Sequence, residues 1–301
     1  MHPAAASEAV FPLSGMDETC KHAAMVLPFL FARVERVRAR VLVLGLVALG
    51  SATTPCAASC APPDLGGGHV AEIVDGRSFR LDDGREIRLA GIEPAGTTKA
   101  DRVSALAAVL ADHDVSLRGA DDAPDRYGRQ AAFVYLPASD TPVQAQLLSA
   151  GVALVSPDLD DTDCTAVLKA AEAEARQAQR GTWAGNAVIK NAESADDILA
   201  GMGRFMVVEG RVLSVHQSGA TTYLNFGRSW TRDFAVTIPR RALPAFAQAG
   251  VALKSLENRR IRVRGWVEVR QGPGQGSNQG PSQGPRIDVV RVGQIELLGG
   301  N

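Results

Sequence analysis

Hydrophobic and polar residues alternate in short runs along much of the first half of the chain, a pattern typical of strands with one buried face. Three other segments carry apolar residues every three to four positions, which predicts helices that pack by one face. The last of these ends at Gly181, a residue suited to the left-handed cap of a helix. The predicted strands are His69–Val74, Ser78–Leu81, Glu86–Ile92, Val115–Leu117 and Gln130–Leu136, and the predicted helices are Lys99–Ala111, Val143–Ala150 and Thr165–Arg180.

A second series of alternating segments begins near Gly203 and predicts another β-rich unit. Three strands, one helix and two further strands follow one another, which is the order of a partly open Greek-key barrel. A repeated Gln-Gly-Pro/Ser tract, Gln271–Pro285, predicts a disordered loop between the last two strands. The predicted strands are Met206–Val215, Thr221–Phe226, Phe234–Ile238, Arg260–Arg270 and Ile287–Leu298, and the predicted helix is Arg240–Ala249.

The N-terminal segment has the pattern of an export signal. Four arginines between residues 33 and 40 precede the apolar run Val41–Ala52, and small residues follow at which a signal peptidase could cut. The run has 12 residues, fewer than the roughly 20 that a membrane-spanning helix needs. We therefore expect an exported protein, periplasmic or secreted, with no transmembrane helix in the mature chain. A cytoplasmic start is the alternative, and a lipid on Cys60 is disfavoured because no large apolar residue stands shortly before it.

Composition divides the chain into halves of opposite charge. The 301 residues, 46% apolar and 22% charged, suit two soluble domains of ordinary size. Residues 67–200 carry 13 basic and 22 acidic side chains, whereas residues 201–301 carry 14 basic and 6 acidic ones, which indicates different partners. Cys60 and Cys164 would remain after export, enough for one disulfide, but the sequence leaves open whether they pair. The predicted organisation is a signal-peptide region at 1–58, a linker at 59–68, a first domain at 69–184, a linker at 185–202 and a basic second domain at 203–299.

Three motifs in the first domain resemble the active-site segments of the thermonuclease, or staphylococcal-nuclease-like, family. They are Val74-Asp75-Gly76-Arg77-Ser78-Phe79-Arg80, Ile87-Arg88-Leu89-Ala90-Gly91-Ile92-Glu93-Pro94 and Asp125-Arg126-Tyr127-Gly128-Arg129. The resemblance covers about residues 69–184 and implies the family's five-stranded oligonucleotide/oligosaccharide-binding (OB) barrel with packed helices. The expected fold class is therefore mainly β (α+β), with a second OB-like barrel after the first.

The resemblance also implies a chemistry, the hydrolysis of phosphodiesters in nucleic acid. In the family, two Asp residues and a main-chain carbonyl hold Ca²⁺, a Glu positions the water, and two Arg residues clamp the phosphate. Arg88 and Arg129 match the two arginines, and Tyr127 matches the tyrosine that lies against the nucleotide. The phosphate-binding side of the family site is thus present.

The metal-binding side of that site differs. Arg77 stands at the first metal carboxylate and Glu93 at the second, where it still offers an oxygen ligand. Gly96 stands where the family has its catalytic Glu, or Ala95 if the alignment follows Pro94. Replacing a carboxylate by a cation costs about a few kcal/mol beside a metal ion. We therefore expect the Ca²⁺ mechanism to be lost and no cofactor to bind, with Ca²⁺ expected only if the site is active.

Two interpretations of the remaining arginines stay open. In the first, Arg77, Arg88 and Arg129 converge and bind a phosphate by bidentate hydrogen bonds without hydrolysing it. In the second, Arg77 points to solvent and pairs with an Asp of residues 75–83 in a decayed site, which the acidic surplus of this domain favours. A further acidic cluster predicts a solvated loop rather than a Ca²⁺ site, because no EF-hand spacing is present. Its members are Asp158, Asp160, Asp161 and Asp163.

Aromatic and basic residues interleave in the second domain, as single-stranded nucleic-acid binding requires. The candidate contacts to nucleic acid or another polyanion are Tyr223, Arg228, Trp230, Arg262 and Arg264. In the alternative, Phe226 and Trp266 alternate into the core, and the arginines form the solvated face of their strand.

Three hypotheses of function follow. The first is an exported thermonuclease-family homologue that is catalytically impaired and binds nucleic acid or phosphate. The second is an active metal-dependent phosphodiesterase, an endonuclease on DNA or RNA, that has recruited other ligands such as Asp75. The third is an envelope scaffold that interacts with other proteins. Metal dependence separates the second hypothesis from the others, and salt-dependent oligonucleotide binding separates the first from the third.

Overall fold

The structure is a computed structural model that describes residues 60–96, 98–159, 161–185, 188–229, 232–269 and 284–299. The predicted signal-peptide region at 1–58, Trp230 and most of the predicted loop 271–285 lie outside the described residues. Among the helices in the described ranges, none is long and apolar enough to cross a membrane.

A closed barrel of five strands forms the first half of the described chain, with helices packed on it. The elements are β1 (Asp64–Ile73), β2 (Ser78–Leu81), β3 (Glu86–Leu89), β4 (Ile92–Pro94), α1 (Lys99–Leu110), β5 (Asp114–Arg118), β6 (Arg129–Tyr135), α2 (Val143–Ser149), β7 (Ala153–Val155) and α3 (Thr162–Gln177). The barrel order is β1, β2, β3, β6, β5, while β4 and β7 pair separately. Alternate residues such as Phe79, Leu81, Ile87 and Leu89 are almost fully buried. The predicted five-stranded barrel is confirmed.

The sequence predicts a linker at 59–68. Residues 64–68 of this segment instead belong to β1, so the glycine-rich part is a strand of the barrel. Gly67 pairs with Ser116 of β5. A Cβ on Gly67 would lie 2.1 Å from the carbonyl oxygen of Val115. Glycine therefore serves the close approach of two strands here, rather than chain flexibility.

The start of α3 is fixed by a cap and a disulfide. The helix begins at Thr162, three residues before the predicted start, because the carboxylate of Asp161 accepts a hydrogen bond from the main-chain N of Cys164 at 2.8 Å. Cys164 forms a disulfide with Cys60, the pairing that the sequence leaves open. The hydroxyl of Tyr135 donates to the carbonyl oxygen of Cys60 at 2.5 Å. These contacts tie the residues before β1 to the barrel.

The second half of the described chain contains an eight-stranded mixed sheet and two short helices. Its elements are β8 (Ile189–Asn191), α4 (Ala195–Leu199), β9 (Phe205–Arg211), β10 (Ser214–Ser218), β11 (Thr221–Asn225), β12 (Ala235–Pro239), α5 (Leu243–Gln248), β13 (Arg260–Glu268), β14 (Arg286–Asp288) and β15 (Ile295–Leu297). The strands lie in the order β10, β11, β12, β14, β13, β9, β8, and β15 pairs with β13.

Three predictions for this half need correction. The predicted strands 206–215 and 287–298 are each divided into two, and the predicted linker 185–202 contributes β8, which pairs in parallel with β9. The β-rich second unit is confirmed. Its closure into a barrel stays a prediction, because the strand pairs among the described residues do not close a ring.

The two halves pack against each other within one compact unit. Leu154 of β7 is buried against Val207 of β9. Arg264 of β13 crosses this interface and donates to both carboxylate oxygens of Glu172 on α3, at 3.0 and 2.9 Å. The same guanidinium donates to a main-chain carbonyl of β7. The second sheet therefore lies next to the β4–β7 pair, which carries part of the candidate site.

Candidate functional site

Arg77 and Glu93 form a largely buried ion pair beside the first barrel. Arg77 lies in the turn before β2, where the carboxylate of Asp75 accepts a hydrogen bond from its main-chain N at 2.8 Å. Its guanidinium donates to Oε1 of Glu93 on β4, whose side chain is only 5% exposed. Burial raises the pKa of Glu93, and the charge of Arg77 opposes that rise. The Arg77 side chain thus turns to Glu93, and not to an Asp of residues 75–83.

Arg88 lies beside this pair and forms long contacts with the acids among the described residues. Its Nη2 is 3.8 Å from Oε1 of Glu93 and 3.5 Å from Oδ2 of Asp158, both longer than a good N–H···O hydrogen bond. Its Nε is buried and has no hydrogen-bond partner among the described residues. Burial lowers the pKa of Arg88, as does the charge of Arg77, while Glu93 and Asp158 oppose that effect. Buried donors without acceptors are costly, and an oxyanion would satisfy them.

The motif at residues 125–129 forms a tight turn that holds a third arginine. Oδ1 of Asp125 accepts hydrogen bonds from the main-chain N of Tyr127 at 2.8 Å and of Arg129 at 3.1 Å. Oδ2 accepts from Nε and Nη2 of Arg129 at 3.1 and 2.8 Å, and these bonds lower the pKa of Asp125 to about 2. Tyr127 is 65% exposed, with the guanidiniums of Arg126 and Arg129 4.7 and 5.0 Å from its ring centre. The turn presents an aromatic face beside two cations.

Arg77, Arg88 and Arg129, the arginine cluster, share one electrostatic environment. After burial, the charges of Arg77 and Arg129 are among the causes that lower the pKa of Arg88. Arg77 and Arg129 each donate a hydrogen bond to a carboxylate, whereas the ion pairs of Arg88 with described residues are the two longer ones. All three guanidiniums therefore lie near acids, and Arg88 is the one whose ion pairs with described residues are all longer than a good hydrogen bond.

A comparison with known protein families bears on this half of the chain. Residues 97–185 match the model of the family described as staphylococcal nuclease homologue. The chain contains a staphylococcal nuclease-like domain. Tyr127 and Arg129 lie within the matched range, whereas Arg77, Arg88 and Glu93 precede it. No curated protein matches the chain. With the closed barrel, the match confirms the family and the fold class predicted for this domain.

Arg77 and Glu93, which the motif resemblance aligns with the family's metal carboxylates, do not fit Ca²⁺. That ion takes about six to eight oxygen ligands, whereas the carboxylate of Glu93 faces the guanidiniums of Arg77 and Arg88. Within the described ranges, no group of three or more His, Cys, Asp or Glu residues is placed to hold a metal ion. Glu93 acts in this arrangement as the partner of a cation.

Gly96, which the motif resemblance aligns with the family's catalytic Glu, has a backbone conformation that disfavours a side chain. Gly96 has a φ of 121°, a conformation that residues with side chains rarely adopt. Nη1 of Arg102, on α1, donates to the carbonyl oxygen of Gly96 at 3.0 Å, and its Cγ lies 3.2 Å from where a Cβ would stand. A Glu here would require a different backbone. Arg102 is a neighbouring cation that the sequence motifs did not reveal.

The predicted acidic loop separates into side chains with different roles. Asp158 faces Arg88, Asp161 caps α3 and Asp163 lies in the first turn of that helix. Asp160 lies outside the described residues. An Asp just before a helix is a recognisable cap signal, so the role of Asp161 could have been predicted. Nothing in the spacing of Asp158 pointed to an arginine on a distant strand.

Arg262 and Arg264 do not form the exposed basic face that the sequence predicts. Both are buried on β13. Nε of Arg262 donates to Glu209 at 2.7 Å and its Nη1 to Glu296 at 2.9 Å, while Arg264 is paired with Glu172 across the interface. Burial lowers the pKa of Arg262, but the two carboxylates raise it above its ordinary value. A strand that is basic in sequence is neutralised in the fold, because buried charges need partners.

The other candidates in the second domain are more accessible. Arg228 is exposed, and Tyr223 is half-buried on β11. Trp230 lies outside the described residues. Phe226 is buried, as the core alternative predicts, but Trp266 on β13 is 47% exposed. Tyr223 and Trp266 are therefore open to aromatic contacts with a ligand.

Proposed function

We propose that the protein is an exported, catalytically impaired thermonuclease-family homologue that binds a phosphate of nucleic acid at the arginine cluster. The observation that carries the proposal is Arg88: among the described residues, its buried Nε has no hydrogen-bond partner and its Nη2 forms long ion pairs. A guanidinium offers five donors in a fork that matches phosphate oxygens. Tyr127, exposed beside Arg129, supplies an adjoining face for a nucleotide.

The protein is not expected to hydrolyse phosphodiesters, because two groups that the family's reaction uses are replaced. Arg77 stands in the place of a metal-binding carboxylate, and Gly96 in the place of the water-positioning Glu. Losing an acid–base group alone typically costs about 10²–10⁴ in rate. Arg77 adds positive charge where the family places a metal ion, and Glu93 offsets part of it. The domain keeps the attraction for phosphate and lacks the groups that break its ester bond.

Export is supported by two observations. The N-terminal pattern of arginines followed by an apolar run is that of a signal peptide. The disulfide between Cys60 and Cys164 suits an oxidising compartment, where such bonds persist. Cell fractionation should find the disulfide-bonded protein in the periplasm or the medium, and a reduced cytoplasmic protein would contradict export.

The experiment for the binding function measures affinity and cleavage in the same samples. The purified protein is mixed with labelled single-stranded DNA or RNA in Ca²⁺, Mg²⁺, Mn²⁺ or EDTA, at several salt concentrations. We expect binding without cleavage, and an affinity that falls steeply with salt because phosphate contacts release counterions. Arg88→Ala should weaken binding about tenfold, as expected for the loss of charge-assisted hydrogen bonds. The matched control Arg80→Ala, an exposed arginine of β2, should change it by less than about twofold.

Three outcomes would overturn the proposal. Metal-dependent cleavage that Arg88→Ala abolishes would favour an active phosphodiesterase instead. Neither binding nor cleavage would favour an interaction scaffold. Equal losses in Arg88→Ala and Arg80→Ala would show that binding follows overall charge and not the arginine cluster.

A further inference from the structure

A cleft of about 200 Å³ opens between the nuclease-like domain and the second sheet. Pro157 and Asp158, which follow β7, line one side, and Phe205, Trp266 and Val290 line the other. Trp266 and Val290 are large apolar side chains that stay 47% and 42% exposed. Exposed apolar side chains that meet in a concave site are typical of ligand binding.

The cleft adjoins the arginine cluster through Asp158. Oδ2 of this residue lies 3.5 Å from Nη2 of Arg88, and the same residue lines the cleft. Asp158 therefore joins the candidate phosphate position at Arg88 to one wall of the cleft.

The cleft and the arginine cluster differ in charge. Asp158, Glu268 and Asp288 line the cleft, with Arg291 as the single cation among its described lining residues. Such a wall repels phosphate but accepts hydrogen bonds from the amino groups of cytosine or adenine. The ring of Trp266, with the edge of Phe205 packed at 6.1 Å, offers a flat face on which a base can stack. Charge thus directs the phosphate to the arginines and the base to the cleft.

We propose that the cleft is a nucleobase subsite, selective for an amino-bearing base, for the same nucleotide whose phosphate lies on Arg88. The inference rests on the proposed phosphate binding and extends it to the second domain. Trp266 supplies the stacking face, and Glu268, exposed at the end of β13, supplies an acceptor for the amino group.

The test compares labelled oligo(dC) and oligo(dT) of equal length on the full-length protein, with inorganic phosphate as competitor. We expect tighter binding of oligo(dC), because thymine presents no amino group to the acidic wall. Trp266→Ala should weaken oligo(dC) binding about tenfold, as expected when one stacking contact is removed. The inhibition constant of phosphate should not change in this variant. Arg88→Ala should weaken the binding of oligo(dC) and the inhibition by phosphate. Glu268→Ala should remove the preference for oligo(dC).

Leu297→Ala is the matched control, since it removes an apolar side chain that is 50% exposed away from the cleft. An effect of Arg88→Ala with none of Trp266→Ala would overturn the cleft subsite and leave the phosphate site standing. If Trp266→Ala weakened oligo(dC) binding and Arg88→Ala did not, the cleft would bind a base independently of Arg88. That result would overturn the proposal that one nucleotide occupies both sites. Equal losses in Trp266→Ala and Leu297→Ala would overturn the subsite as non-specific adhesion. Trp266→Phe should retain most of the affinity, because it keeps an aromatic face.

Discussion

The arginine cluster and the arginines of β13 use the same side chain in opposite ways. On β13, Arg262 and Arg264 are buried, and each donates short hydrogen bonds to carboxylates. In the cluster, the buried Nε of Arg88 has no partner among the residues that the structure describes, and its Nη2 lies 3.5 Å from Asp158 and 3.8 Å from Glu93. The arrangement on β13 holds the fold together, whereas the one at Arg88 leaves donors for a ligand.

This difference shows that the charge of a segment is a poor guide to which of its arginines remain open to a ligand. The half of the chain with 14 basic and 6 acidic residues buries Arg262 and Arg264 in ion pairs. The acidic half carries the guanidinium with spare donors. Whether an arginine is neutralised depends on the acids that the fold places beside it. These acids can come from far along the chain, as Glu172 is 92 residues from Arg264.

The largest expected effect is on the ion pair between the two halves. Arg264→Ala leaves the carboxylate of Glu172 buried without its cation, at a site where the two side chains are 4% and 2% exposed. The free energy of unfolding should fall by about 3–5 kcal/mol, measured by chemical denaturation. The double variant Arg264→Met with Glu172→Gln should recover much of that loss, because it removes both charges and keeps an acceptor for the main chain of β7. A double variant as unstable as Arg264→Ala would show that packing, and not charge, explains the loss.

A smaller loss of stability is expected at the other buried arginine of β13. Arg262→Ala should cost about 2 kcal/mol, because Glu209 is largely buried while Glu296 remains hydrated at 46% exposure. The matched control is Arg228→Ala, an exposed arginine of the same domain, which should stay within about 0.5 kcal/mol of wild type. Equal values in denaturation experiments would mean that the Arg262 pairs contribute nothing.

The sequence predicted those parts of the fold that depend on local pattern. The bounds of β2 agree with the predicted Ser78–Leu81, because period-two burial is visible residue by residue. The sequence pattern missed the first five residues of β1 (Asp64–Ile73), which the prediction began at residue 69. The glycines there are as compatible with a flexible linker as with a close contact between strands. Motif matching found Arg88 and Arg129. It could not find which acids face them, since the position of Asp158 depends on how β7 lies against β4.

Within the arginine cluster, Glu93→Gln should strengthen binding. The change removes the carboxylate that holds Arg77 and lies 3.8 Å from Nη2 of Arg88. Two guanidiniums then gain donors, and a phosphate loses a repulsive neighbour. We expect roughly three- to tenfold tighter binding of a single-stranded oligonucleotide, the order of the roughly 1 kcal/mol that one charge about 4 Å away gives when water screens it. Fluorescence anisotropy measures it.

The control for that change is Glu72→Gln, an exposed acid that pairs with Arg80 on the same barrel. It should alter affinity much less, because solvent screens an exposed charge. Weaker binding in Glu93→Gln than in wild type would contradict the role of Glu93 as a neutralising partner, and would indicate that its carboxylate takes part in binding.

The smallest expected effect concerns the turn that holds Arg129. Asp125→Asn keeps an oxygen for the main-chain N of Tyr127 but removes the charge that pairs with the guanidinium of Arg129. The pKa of Asp125 is about 2 in the fold against an ordinary value of 3.8. A lowered pKa means that the pair stabilises the fold above about pH 4, and that this contribution is lost as the pH falls toward 2.

The Asp125→Asn variant should therefore unfold at a slightly lower temperature than wild type near neutral pH, and at the same temperature near pH 2. The effect is small because the pair is exposed to solvent. Asp140→Asn, which removes an exposed acid in a loop, should have the same unfolding temperature as wild type at every pH in this range. A deficit of Asp125→Asn that persists at pH 2 would show that Asp125 acts through the geometry of the turn. In that case the charge of the pair between Asp125 and Arg129 would contribute nothing to stability, and the contrast with Arg88 would rest on Arg77 and Glu93 alone.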